Sequence, residues 1–173
     1  MTRATPSLLL AAACAGALLS GCATQPVPLQ GAYTAVTPDQ AVDGATAGAT
    51  VRWGGRIVEV VPESSRTCFQ MLSAPLDATG RPSFRDDRTG GRFIACRAGF
   101  YDPALFTADR EVTFTGRVAN TEQVRVGEYD YRLPRLDADV VYLWPERADV
   151  QVIRYDPYPW GPPGWGPRGW WWW

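Results

Sequence analysis

Four cysteines and 18 carboxylates are the residues of this 173-residue chain with types suited to covalent or proton-transfer chemistry, and their surroundings narrow what they can do. All 17 basic residues are arginine, and the chain contains neither lysine nor histidine. No Ser/His/Asp or Cys/His nucleophile system can be assembled, no imidazole can hold a metal, and no lysine can form a Schiff base or fill a P-loop. Asp86 and Asp87, beside Arg85, Arg88 and Arg92, are the one pair of carboxylates with the look of a glycosidase site. Adjacent aspartates in a Gly-rich loop more commonly make turns and surface ion pairs. With Asp77 they lack the spacing of an EF-hand calcium loop. The expectation is a non-enzyme with no cofactor and no metal.

The cysteines point elsewhere. Cys22 follows Leu19-Ser20-Gly21, with Arg3 and an apolar stretch from Leu8 to Leu19 ahead of it. That stretch is too short to span a bilayer and has the order of an export signal. It resembles lipoprotein signals, in which small residues precede a cysteine whose thiol accepts a diacylglycerol before cleavage. At ~0.8 kcal/mol per buried methylene, two or three acyl chains make such an anchor effectively permanent. Lipoproteins of two-membrane bacteria usually stay in the inner membrane when aspartate follows the cysteine; here Ala23 follows, so the resemblance implies a periplasm-facing, lipid-anchored protein of the outer membrane. Cys14 leaves with the signal, which makes Cys68 and Cys96 the remaining thiols, in a compartment that oxidises them. If their segments pair antiparallel with Leu72 opposite Arg92, Cys68 faces Cys96 within reach of a bridge. A structural disulfide is the preferred reading, two unpaired buried thiols the competing one.

The elements that must carry these residues read as mainly β. Residues 1–21 form the signal; residues 22–50, rich in Pro, Gly, Ala and Thr with almost no charge, read as a flexible tether that holds the folded part off the lipid surface. From Val51 a strand begins with Val51 and Trp53 on one face, then Val58 and Val60 on the opposite parity, a slip placed at Gly54-Gly55 as a β-bulge. Further strands are expected over 66–72 (Phe69 and Met71 on one face), 92–97 (Phe93 and Ala95) and 111–118 (Val112, Phe114 and Val118 in, Glu111, Thr113, Thr115 and Arg117 wet). Ala138, Val140, Tyr142 and Trp144 share a face of the next strand, with Val150 and Val152 hinting at an edge strand. Asp102-Pro103 looks like the start of one short helix. Three strands, a helix and two more strands, with a bulged first strand, match a small five- to six-stranded OB-fold-like barrel over 51–155. A small β-sandwich is the alternative.

Six of the eight tryptophans fall in 156–173 among Pro and Gly, a tail that cannot make a core and suits the headgroup level of a membrane or the faces of sugar rings. Without Arg3 the chain has 16 basic against 18 acidic residues, which gives nucleic acid no attraction. Trp53, Arg88, Arg92, Tyr129 and Tyr131, with Arg132, are the candidate binding face, since OB barrels take ligands on a strand surface and its loops. An envelope glycan or another envelope protein would be the partner. Core packing is the better account of Trp53.

Val51-Arg52-Trp53-Gly54-Gly55, the run from Asp86 to Phe93, Gly99-Phe100-Tyr101-Asp102-Pro103, Gly127-Glu128-Tyr129-Asp130-Tyr131 and Tyr142-Leu143-Trp144-Pro145 resemble, in order, stretches of the Slp family of starvation-inducible outer-membrane lipoproteins. The resemblance runs from Cys22 to about Pro145. It implies an envelope lipoprotein associated with nutrient limitation or stationary phase, without an established enzymatic activity. The cysteine pair and the tryptophan tail draw nothing from it.

Overall fold

The structure is a computed structural model and describes residues 24–86 and 88–147. The alternating segments become five strands: β1 (Thr50–Pro62), β2 (Arg66–Ser73), β3 (Arg92–Ala98), β4 (Glu111–Val126) and β5 (Tyr129–Leu143). They close into a ring in the order β1-β2-β3-β5-β4, every pairing antiparallel except β3 with β5. This strand order is that of the OB-fold. Val150, Val152, the 156–173 tail, the 1–21 signal and Cys22 lie outside the described residues.

Side chains of one parity fill the ring. Phe69, Phe93 and Phe114 are fully buried, with ring centroids 5.4 Å apart for Phe69 and Phe114 and 6.1 Å for Phe93 and Phe114. Each fully buried aromatic of this kind contributes about 1.5–3 kcal/mol by removal from water.

The slip in β1 is real but sits elsewhere than expected: pairing with β2 shifts between Ile57 and Glu59, so Val58 is the extra residue. Gly54 and Gly55 answer to space instead. A Cβ on Gly55 would stand 2.0 Å from the Leu72 carbonyl oxygen, and one on Gly54 would stand 2.8 Å from both Leu76 and Thr113. A second slip, between Thr115 and Gly116 of β4, leaves Asp139 of β5 unpaired and reverses the expected facing there. Leu136, Ala138, Val141 and Leu143 pack on the core, whereas Trp144 turns outward and donates its indole N–H to Thr113 Oγ1 at 2.9 Å.

Three further expectations are corrected. The helix after Asp102 is a single turn, in which Asp102 accepts from Ala104 N through its side chain and from the Leu105 and Phe106 amides through its carbonyl. It stops because Phe106 is drawn into the barrel mouth against Phe69, 5.4 Å away. The outward face of β4 is not wet at its first half. Thr113 and Thr115 are buried because loop 74–91 and the N-terminal segment fold over them, with Thr113 Oγ1 donating to the Gly80 carbonyl at 2.8 Å. Residues 24–49 are not a free tether either. They wrap the barrel, with short turns at Val27–Leu29 and Asp39–Ala41, Leu29 and Ala41 buried, and Gly48 N donating to the Val118 carbonyl at 2.7 Å. Low charge and many small residues, which read as flexibility, here let the chain lie flat on a sheet.

β4 and β5 continue past the barrel as a two-stranded ribbon, Thr121 to Val126 against Tyr129 to Pro134, closed at Gly127 with φ 61°. The ribbon folds over the outer faces of β2 and β3, where Leu133, Val124 and Tyr131 cover Cys68, Ile94 and Cys96.

Candidate functional site

Cys68 and Cys96 are direct cross-strand partners, with Leu72 opposite Arg92 and Gln70 opposite Ile94. Their Cα atoms are 4.1 Å apart and the sulfurs are joined at 2.09 Å. They point away from the barrel interior, because Phe69 and Ala95, one position on, point into it.

The candidate binding face separates into two places. Trp53 borders the same groove as Arg88 but is itself almost wholly buried. It is 4% exposed, donates its indole N–H to the Val36 carbonyl at 2.7 Å and stands edge-on to Phe93 at 5.3 Å, so it works as a core residue that also pins the N-terminal segment. Arg88 is exposed, paired with Asp86 at 2.7 Å, and borders a groove of about 420 Å³ between Val36–Gln40 and Ser73–Leu76. Asp87 lies outside the described residues. Arg92, Tyr129 and Tyr131 do come together: with Asp130, Arg132, Asp39 and Val42 they line a depression of about 370 Å³. The Tyr129 and Tyr131 rings are 6.0 Å apart, and Tyr129 is 68% exposed. Adjacent tyrosine rings flanked by guanidinium and carboxylate groups can take a sugar, with aromatic faces against the C–H side of the ring and charged groups on its hydroxyls. Strand propensity in Tyr129-Asp130-Tyr131 was there to read, but the ribbon that presents it was hidden in a stretch polar enough to pass for a loop.

OB barrels receive extended polymers on the β2–β3 face between the β1–β2 and β4–β5 connections. Here the ribbon covers much of that face and leaves a depression of about 180 Å³ among Glu59, Glu63, Glu122, Gln70 and Ile94. Arg66 and Arg135, which flank it, are paired with Glu63 and Glu122, each at 2.7 Å. The hydrogen bond from Arg66 is the largest influence on Glu63 and holds its carboxyl below the usual carboxylate range. A phosphate backbone would meet carboxylates there, not free cations.

Sequence reasoning missed the pairing of Glu111 with Arg81 at 2.6 Å and Arg147 at 3.2 Å. It gave no local signal because the three residues are far apart in the chain. Among the described residues no group of three or more Cys, Asp or Glu is placed to hold a metal ion.

An OB-type barrel behind a segment that resembles a lipoprotein signal is the build of a small envelope lipoprotein. The profile of the outer membrane lipoprotein Slp family matches residues 19–173, and the chain belongs to that family. It is 30% identical over 144 residues to an uncharacterized protein of Haemophilus influenzae, covering 80% of this chain and 75% of that one. It is 29% identical to the uncharacterized lipoprotein YeaY of Escherichia coli, over 66% of this chain and 61% of the relative. Against the outer membrane protein Slp of Escherichia coli it is 23% identical, over 58% and 53%. A small single-stranded DNA-binding protein from Streptomyces coelicolor overlays 56% of this chain and 94% of its own, at 9% identity and a TM-score of 0.34.

Proposed function

We propose that this protein is a non-enzymatic lipoprotein held on the periplasmic side of the outer membrane by lipid on Cys22, supporting the envelope during starvation or stationary phase. The observation that carries the reading is the lipobox at 19–22 within a chain that the Slp family profile matches from residue 19 onward. The absence of lysine and histidine supports the non-enzymatic part. Replacing the acceptor, Cys22→Ala, is expected to abolish labelling by radioactive palmitate and to move the protein out of the membrane fraction. Retention of both in the variant would sink the reading.

A second reading, a tethered module for peptidoglycan or lipopolysaccharide sugars, is favoured by the depression that joins Arg92, Tyr129 and Tyr131. It expects the domain to be retained on purified cell wall and Tyr129→Ala to lose most of that retention. No retention at any salt concentration would remove it.

A further inference from the structure

We infer that one wall of the barrel, the one bounded by the two places where the chain leaves it, faces the membrane and rests on the phospholipid headgroups of the leaflet that holds the Cys22 lipid. This rests on the lipid-anchor reading above and adds an orientation to it.

The first exit is at Gln25. Its side-chain amide donates to the Ala78 carbonyl at 3.2 Å, while its Oε1 accepts from Arg52 Nη1 at 2.7 Å. Arg52 also donates to the Leu29 carbonyl at 2.9 Å, so both ends of this turn are tied to β1. Only three residue steps separate Cys22 from Gln25, a reach of at most about 11 Å. A barrel held by so short a leash cannot turn an arbitrary face to the bilayer. The surface around the leash, Ala78 and the 79% exposed Val27, must lie close to the headgroups.

The second exit is at Arg147, which donates to the Pro82 carbonyl at 3.1 Å. Pro82 is bridged to Leu76, so it belongs to the same small loop that Gln25 grips at Ala78. Both exits therefore lie on one side of the molecule.

Beside these exits lies a depression of about 420 Å³ with Trp144 in its wall, where Arg81 and Arg147 are paired with Glu111 and Arg110 with Glu146, and Arg56 lies over the Phe84 ring with no carboxylate partner among the described residues. Guanidinium groups match phosphate in geometry and charge. Leu105, 55% exposed, adjoins it, its carbonyl accepting from Arg110. The Tyr129 tip of the ribbon lies beyond the far end of β4 from Glu111, and the depression it lines with Asp39, Val42 and Arg92 shares no residue with the one beside the exits.

The test uses the full-length acylated protein in vesicles of phosphatidylethanolamine and phosphatidylglycerol, with the photo-crosslinker benzoylphenylalanine replacing Ala78 or Tyr129, both exposed. Lipid adducts, read by mass spectrometry, are expected several-fold more often at 78 than at 129. Equal yields, or an excess at 129, would overturn the orientation. The intact mass of the same preparation separates the two ideas: material without acyl chains sinks the anchor reading, whereas acylated material that fails the crosslinking contrast sinks only the orientation. Hydrogen exchange in the same vesicles, against the Cys22→Ala form in solution, is the second measurement. Amides of 77–81 are expected to slow and those of 126–130 to stay unchanged; the reverse pattern also refutes the proposal.

Discussion

The barrel interior and the small cluster on the outside of β2 and β3 draw on the same two strands, yet they are closed by different means. Phe69, Met71, Phe93 and Ala95 point into a ring of five strands, in which every strand is paired on both sides. Cys68, Ile94 and Cys96, one residue out of phase, are covered only by the ribbon, through Leu133, Val124 and Tyr131. A two-stranded ribbon is marginal alone and depends on what it packs against. One strand pair thus feeds a cooperative core on one face and, on the other, a shallow one backed by a cross-link. Local opening should begin at the second.

The contrast can be broken most severely from inside. Phe114→Ala removes a fully buried ring that touches two others, and is expected to cost about 3–5 kcal/mol, a large part of the stability of a domain this size. Thermal melting should show the whole barrel lost at lower temperature; an unchanged melt would mean the interior does not dominate. Next in size, replacing Cys68 and Cys96 together with alanine opens a cross-link across a separation of 28 residues and should cost about 2–4 kcal/mol in urea unfolding. Its signature is regional: hydrogen exchange should rise in 121–133 before it rises in β1. Uniform acceleration would show that the two cores are one.

A smaller, pH-dependent effect is expected at Asp77, in the loop that Gln25 grips. Partial burial pushes its pKa up, but hydrogen bonds from Thr79 and from the Arg81 and Thr79 amides outweigh it and leave the carboxyl below its ordinary value of 3.8. A lowered carboxylate pKa stabilises the fold above the ordinary value and loses that contribution as pH falls through the folded one. Residues 76–82 should therefore loosen on acidification below about pH 4, and Asp77→Asn should remove that dependence, read by hydrogen exchange as a function of pH. The smallest effect belongs to Tyr129→Ala, at the exposed tip, expected to move stability by less than about 0.5 kcal/mol. A larger loss would mean that the tip helps close the outer cluster.

Much of this was open to reading along the chain. Alternation at Phe69/Met71 and at Phe93/Ala95 gave two strands and their inward faces, and counting from Leu72 opposite Arg92 brought Cys68 to Cys96. Legibility ended where a residue answers to something distant. Gly55 is glycine because the Leu72 backbone passes beside it, Thr113 is buried because Gly80 comes to its hydroxyl, and Trp53, read as core, gains an indole hydrogen bond to the distant Val36 carbonyl that nothing nearby in the chain announces. The ribbon escaped notice because Glu122, Gln123, Arg125 and Arg132 dilute an alternation that only Val124, Tyr131 and Leu133 reveal.

What the sequence alone determined is local: the absence of lysine and histidine, and the strands whose period of two shows whenever one face meets the core and the other meets water. Tertiary structure decided where the bulges fall, that residues 24–49 cling to the barrel, that the tyrosines of 129–131 meet Arg92, and that both chain exits share one loop. These depend on which surfaces come together across long separations. A chain's own periodicity carries no record of that, because buried and exposed are properties of the neighbour as much as of the residue.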